Sequence, residues 1–251
     1  MEKREPLLSI AHFDTAIQRQ ERMVTETEED LLLPGDEILL DVAYLVLFQA
    51  RYKLLLLEYS RGKPIAQLSK RLLSILEALE GCRSHPEPQA GDLFFNGEQD
   101  EYMQALTLVS LALLLHVETA VFERLVAAIG ASGQDYILEW LIGRRLPQRP
   151  ATTRLLFPKT YARLRDAIQA PRDIQSTVLQ GFLAAWYESL NTVWYNIHAH
   201  RQDSAGFTGY WCWEAAAVAY GLGADDAALR PLPYYPTDLA DYALGRRPPQ
   251  G

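Results

Sequence analysis

ILLDVAYLVLFQARYKLLLLEYSRGKPIAQLSKRLLSILEALE, residues 38–80, decides the fold class. Its first half is apolar on most sides, with Leu39, Leu40, Val42, Ala43, Leu45, Val46, Phe48 and Leu54 to Leu57. Leu and Ala without a period-two alternation predict a long helix from Ile38 to about Glu58, of the kind that lies centrally in a bundle. Tyr59 to Ile65 reads as a turn, in which Gly62 suits the left-handed position after a helix and Pro64 the first turn of the next. The second helix runs to about Glu80 and turns Ile65, Leu68, Leu72, Leu73, Ile75, Leu76 and Leu79 inward.

The same reading extends in both directions. Upstream, residues 9–29 form a polar helix whose sparse apolar side is Ile10, Phe13, Ile17 and Val24; Pro34-Gly35 breaks it and Asp36 caps the next. Downstream, Gly81 to Gly97 is a glycine- and proline-rich linker. Helices follow at about 98–116, 118–129, 134–142, 158–168, 171–190, 192–200 and 210–220. Pro236 starts a last one, and GRRPPQG frays. Runs of alternating, β-branched residues are almost absent. The expectation is an all-α bundle of roughly 9–11 helices, with an N-terminal region over 1–90 and a C-terminal domain over 91–251.

Composition narrows the function. With 49% hydrophobic residues the chain can bury a substantial core, and a formal charge of −8 argues against binding nucleic acid through a general basic surface. Two distant cysteines, Cys82 and Cys212, make neither a disulfide framework nor a zinc site. The N-terminus lacks the apolar core of a signal peptide, and no run of 18 apolar residues occurs. A cytoplasmic protein with no membrane span and no cofactor is expected.

The acids are unevenly placed. Between Asp14 and Phe48 nine acids face two bases, which accounts for nearly the whole net charge. Glu26, Glu28, Glu29, Asp30, Asp36, Glu37 and Asp41 fall in this segment, and Asp92, Glu98, Asp100 and Glu101 form a second patch without a base. Each reads either as a solvated helix face or as part of a negative surface that docks a basic protein. Elsewhere, Asp225-Asp226 after Gly221 and Gly223 has the pattern of a helix N-cap, and Glu214 between Trp213 and Ala215 that of a buried acid. A metal-dependent hydrolase using Glu214, Asp225 and Asp226 is the alternative. His198-x-His200 lacks the company of a metal motif, and no nucleophile or phosphate-loop motif occurs.

GYWCWEAAAVAYGLGADD, residues 209–226, followed by YYPTDLADYA, residues 234–243, resembles the C-terminal domain of the PoNi-type immunity proteins. The residues that carry the likeness are Gly209, Tyr210, Trp211, Glu214, Asp225, Asp226, Tyr235, Pro236 and Asp238, with Tyr59, Ser60 and Gly62 of YSRGKPIAQL. DEYMQALTLVSLALLL and WYESLN are similar to the middle of that family; the first 30 residues and the 81–97 linker carry none of the likeness. The resemblance implies a helical bacterial inhibitor, not an enzyme. Such proteins neutralise PoNe-type DNase toxins delivered between competing cells by secretion systems such as type VI. It implies a protein partner, the cognate nuclease toxin, with no direct contact to nucleic acid or membrane; a homodimer stays open. The motif residues are expected to be structural and the acidic surface to hold the toxin. A helical scaffold or regulator with an unrelated partner would share the fold.

Overall fold

A computed structural model describes residues 2–33, 37–85, 92–190, 198–202 and 206–246, and of residues 37–39 and 41 the backbone alone. The described residues form ten α-helices and one 3-10 turn, with no strand. The fold is all-α, as the periodicity predicts. The expected Asp36 cap, most of the 192–200 helix and the GRRPPQG end beyond Arg246 lie outside the described residues. The chain divides into two compact units, Met1–Gly91 with His198–Tyr210, and Asp92–Ile197 with Trp211–Gly251.

The first unit is built on α1 (Ile10–Asp30), α2 (Glu37–Arg61) and α3 (Ile65–Ser84). α2 packs on both of the others, because it is the one helix with apolar residues all round. Phe48, Leu54, Leu55 and Leu57 are fully buried, each worth about 1.5–3 kcal/mol. Ser9 caps α1, its hydroxyl accepting from the His12 N–H at 3.2 Å. Only Phe13, Gln20 and Thr27, spaced by seven, are buried on α1. Ile10, expected on the apolar side, is 44% exposed. Arg61, the last residue of α2, pairs with Asp14, so Ile10 lies beyond the end of its neighbour. α3 runs on to Ser84, past the expected stop at Glu80, because Gly81 here continues the helix. A Cβ at Gly81 would overlap the Tyr44 ring, and Tyr44 stacks on His85 at 5.2 Å.

The second unit is organised around α4 (Gln99–Leu114), whose residues Ala105 to Leu114 are all buried. It packs against α9 (Trp213–Leu222), α6 (Tyr136–Ile142), α10 (Thr237–Ala243) and α5 (Thr119–Ile129). α7 (Pro158–Gln169) and α8 (Gln175–Ser189) form a hairpin that also reaches α9. Pro171 does not start α8; it opens a turn in which the Ile174 N–H reaches its carbonyl. α9 begins at Trp213, later than the expected Tyr210, and buries every residue from Trp213 to Ala219. Four of those seven are alanine, which lets the helix backbone approach α4 closely.

Buried polar groups fix the connections. Asp135 caps α6: its Oδ1 accepts from the N–H groups of Ile137 and Leu138 and from the Tyr102 hydroxyl at 2.8 Å, and its Oδ2 from the Leu156 N–H. Burial, then the Asp135 charge, holds the Tyr102 phenol well above its usual range. Glu139, 6% exposed, accepts from Arg149 at 2.7 Å and from the Gly133 N–H. Arg149 therefore ties the polar connection after α6 back to that helix.

Candidate functional site

The acidic residues of the first unit lie where they are available to solvent. Glu26, Glu28, Glu29 and Asp30 are all exposed on the last turns of α1. Glu28 already has a partner: Arg51 donates to it at 2.6 Å and also to the Ser74 carbonyl, which ties α1, α2 and α3 together. The side chains of Glu26, Glu29 and Asp30 make no hydrogen bond or ion pair among the described residues. Asp36 lies outside the described residues, and only the backbone of Glu37 and Asp41 is described.

The second acidic patch is less uniform. Asp92 is exposed and accepts from the Phe94 N–H, and Glu98 is exposed just before α4. Asp100 and Glu101 sit in the first turn of α4 and are half-buried. One oxygen of Glu101 is buried without a hydrogen-bond partner. Of these four, only Asp92 and Glu98 present themselves fully to solvent.

The YSRG turn is a structural clasp. Ser60, fully buried, donates from Oγ to the Thr208 carbonyl at 2.5 Å. Its own carbonyl accepts from the N–H groups of Arg4 and Glu5. Arg4 donates to the carbonyls of Tyr59 and Lys63, and its guanidinium lies 4.6 Å over the Tyr59 ring. Gly62 has φ +107°, and a Cβ there would strike the Glu2 carbonyl, so no other residue fits without displacing the N-terminal segment. Beneath the turn Glu58, 4% exposed, takes a bidentate pair from Arg71 and a third contact from Lys63. Gly209 and Tyr210 belong to this same unit. Gly209 has φ +99°, and the Tyr210 hydroxyl lies 3.0 Å from His200 Nδ1.

Of the remaining signature residues, Glu214, Asp226 and Tyr235 are buried inside the second unit. Trp186 donates from Nε1 to Glu214 Oε1 at 2.7 Å, both side chains being buried. Burial pushes the Glu214 carboxyl up to about 7, against the opposing hydrogen bonds from Trp186 and Cys212. Asp226, 1% exposed, accepts from Arg230, Arg246 and the Tyr235 hydroxyl. Burial alone would raise its pKa, but the two guanidinium groups and the phenol together hold it below the usual aspartate range. Arg230 also forks onto Asp241. Asp225 is exposed and accepts from the Ala227 N–H. It caps a turn, not a helix, contrary to expectation: Leu229 and Arg230 bond back to the Asp226 carbonyl, and turns run to Tyr234. The prolines at 231 and 233 prevent a helix from propagating there. Pro236 precedes α10, and Asp238 lies in its first turn.

These geometries bear on the metal alternative. Glu214 and Asp226 spend their oxygens on an indole, two guanidinium groups and a phenol. Among the described residues no group of three or more His, Cys, Asp or Glu is arranged to hold a metal.

Both parts of this architecture match one family. A family model described as PoNe immunity protein (PoNi), N-terminal, matches residues 4–127, and one described as PoNe immunity proteins (PoNi), C-terminal, matches residues 133–239. The chain belongs to the PoNe immunity protein family. Membership in the PoNe immunity family implies a toxin as partner. The match runs through α1 and the 81–97 segment, which the motif resemblance left out. Protein PA2201 from Pseudomonas aeruginosa, known from its crystal structure, has a similar fold. Its TM-score is 0.74 at 20% identity, over 97% of this chain and 91% of that one. No curated protein matches. Among the described residues no helix is long and apolar enough to cross a membrane.

Several residues that hold this PoNe immunity fold together escaped the sequence reading. Arg4, Asp135, Glu139 and Arg149 belong to none of the motifs or acidic patches read in the sequence. An Asp directly before a short apolar helix was the available signal for Asp135. Nothing local signals the pairing of Glu139 with Arg149, ten residues later.

Proposed function

We propose that this chain is a non-catalytic immunity protein that binds a cognate DNase toxin in the cytoplasm and neutralises it through an acidic surface centred on α1. The observation that carries this reading is the contrast in commitment among the acids. Glu26, Glu29 and Asp30 are exposed with no partner for their side chains among the described residues. Glu214 and Asp226 of the signature are buried and bonded. A DNase has a cationic groove for its polyanionic substrate. Carboxylates on an inhibitor take the positions that phosphates would occupy, speeding encounter and excluding DNA. Asp36, Glu37 and Asp41 continue the negative run in sequence, and Asp92 and Glu98 are the reserve surface.

Co-expression with a candidate PoNe-type toxin is the test. Rescue of growth and co-purification are expected, with affinity falling as salt rises. A chain that neither rescues growth nor co-purifies with the toxin is not its immunity protein.

A further inference from the structure

The α1–α2 hairpin exposes more apolar surface than its role in the fold requires. Leu33, Val42, Leu45, Val46 and Met23 are 64%, 54%, 39%, 39% and 38% exposed. Helical spacing groups them. On α1, Arg19, Met23, Glu26 and Asp30 recur every three or four residues and share one side; Leu33 follows after a turn in which its N–H bonds to the Asp30 carbonyl. On α2, Val42, Val46 and Lys53 share a side, with Leu45 adjoining.

Two observations bring these stripes together. Asp14 pairs with Arg61 and Glu28 with Arg51, which fixes α1 antiparallel to α2: Met23 and Glu26 lie between the levels of Arg61 and Arg51, and Asp30 and Leu33 lie past Arg51, towards Val46 and Leu45. Lys53 is held below the usual lysine range, first by burial and then by the charge of Arg19, so the stripe of α1 that begins at Arg19 runs beside the stripe of α2 that ends at Lys53. The result is one surface with an apolar centre at Leu33, Val42, Leu45 and Val46 and carboxylates at its edge, Asp30 within the α1 stripe, Glu29 beside it and Glu26 further along towards Lys53.

We propose that this surface is the toxin-docking face, and that its occupant is a protein patch with apolar side chains at the centre and Lys or Arg around them. The proposal rests on the immunity reading above and assigns it a place and a chemistry. An apolar centre inside a charged rim is the arrangement in which buried contacts supply affinity while the rim sets rate and partner choice. Charge selects among occupants. A second copy of this chain would set Glu26, Glu29 and Asp30 against their own equivalents, and an anionic membrane would be repelled. A cationic protein meets both the rim and the centre.

Val46→Asp and Leu33→Asp test this with the catalytically inactivated toxin that the wild-type chain co-purifies with, measured by titration calorimetry. A contact made by charge alone would be unaffected or tightened by an added carboxylate. A contact with an apolar centre loses about 30-fold or more in affinity. Ile174→Asp, which adds the same charge at another exposed apolar residue, is expected to leave affinity within about twofold. Unaltered helicity by circular dichroism separates lost contact from lost fold, and the Leu33 variant, outside α1 and α2, guards against helix effects. Toxin binding that survives both Asp variants overturns the docking face and leaves the immunity reading standing. Sedimentation that shows a wild-type dimer dissociated by Val46→Asp assigns the surface to a second copy and also overturns it. A wild-type chain that binds no toxin defeats both readings.

Discussion

The segment around α9 and α10 and the end of the α1–α2 hairpin are both rich in residues that ordinarily signal function, yet they use them in opposite ways. In the first, Glu214, Asp226, Trp186 and Tyr235 are all buried and satisfy one another. In the second, Glu26, Glu29, Asp30, Val42 and Val46 face solvent. A buried, hydrogen-bonded carboxylate cannot change without stranding its partners, so it records the fold. An exposed one is free to change with the toxin. Recognisable sequence and working surface are therefore expected to be different places.

The largest effect that would break this contrast is at Asp226. Asp226→Ala leaves Tyr235 without its acceptor and removes the acid that joins Arg230 to Arg246. Loss of a buried charge network costs several kcal/mol; because both arginines are partly exposed, about 2–3 kcal/mol is expected. Urea denaturation checks it, and toxin affinity below the unfolding transition should be unchanged. A variant of full stability with weakened binding would make the signature the site.

Glu214 gives an effect of similar size, spread over a pH range, and its sign follows from its raised pKa. The folded state holds the proton more tightly than the unfolded chain. The contribution of this group is thus fully present below pH 4.5 and is lost as pH rises to about 7. Glu214→Gln keeps an acceptor for Trp186 and removes the titration. It should flatten the fall in stability between those values, an effect on the order of 3 kcal/mol, read from denaturation midpoints across pH. An equal slope in both proteins would mean that the carboxyl is ionised and paired throughout.

How much of this was legible in the sequence divides along the same line. The helices were readable because their period is local: residues 38–80 state a helix, a turn and a helix without reference to anything distant. Glu214 was readable as buried because aromatic and alanine neighbours surround it in sequence. The turn after Asp226 was misread as a helix start because the acids resemble a cap, while the prolines at 231 and 233 decided otherwise. The exposed apolar stripe of α2 was hidden by its own composition. Val42, Leu45 and Val46 look like core, and only the placement of α1 and α3 shows which side is left uncovered. Likewise Glu28 and Glu26 are indistinguishable in sequence, since Arg51 lies 23 residues from the acid it pairs with.

Charge reversal on the hairpin sharpens the comparison from its other side. Glu26→Lys, Glu29→Lys and Asp30→Lys together should weaken toxin binding about 100-fold at low salt, chiefly through association rate, while stability stays within about 0.5 kcal/mol. Stopped-flow association at two ionic strengths checks this. A change confined to dissociation, with unaltered salt dependence, would move the electrostatic contact to Asp92 and Glu98.

The smallest effect is the most discriminating. Glu26 and Glu28 are both exposed and two residues apart on α1, but of the two Arg51 pairs with Glu28 alone, sharing its charge with Glu77. The Glu28 carboxylate already has a cation, so a toxin lysine or arginine gains little from it. Glu28→Gln should therefore change toxin affinity by less than about twofold and cost under about 1 kcal/mol of stability, the scale of a part-exposed ion pair. Glu26→Gln should do the reverse, leaving stability alone and lowering affinity several-fold. If the two behave alike in binding, then net charge alone attracts the toxin and the detailed geometry of α1 is irrelevant. If they separate, the partner reads which carboxylates the fold has left uncommitted, because a contact that competes with Arg51 must first break a bond the protein already makes.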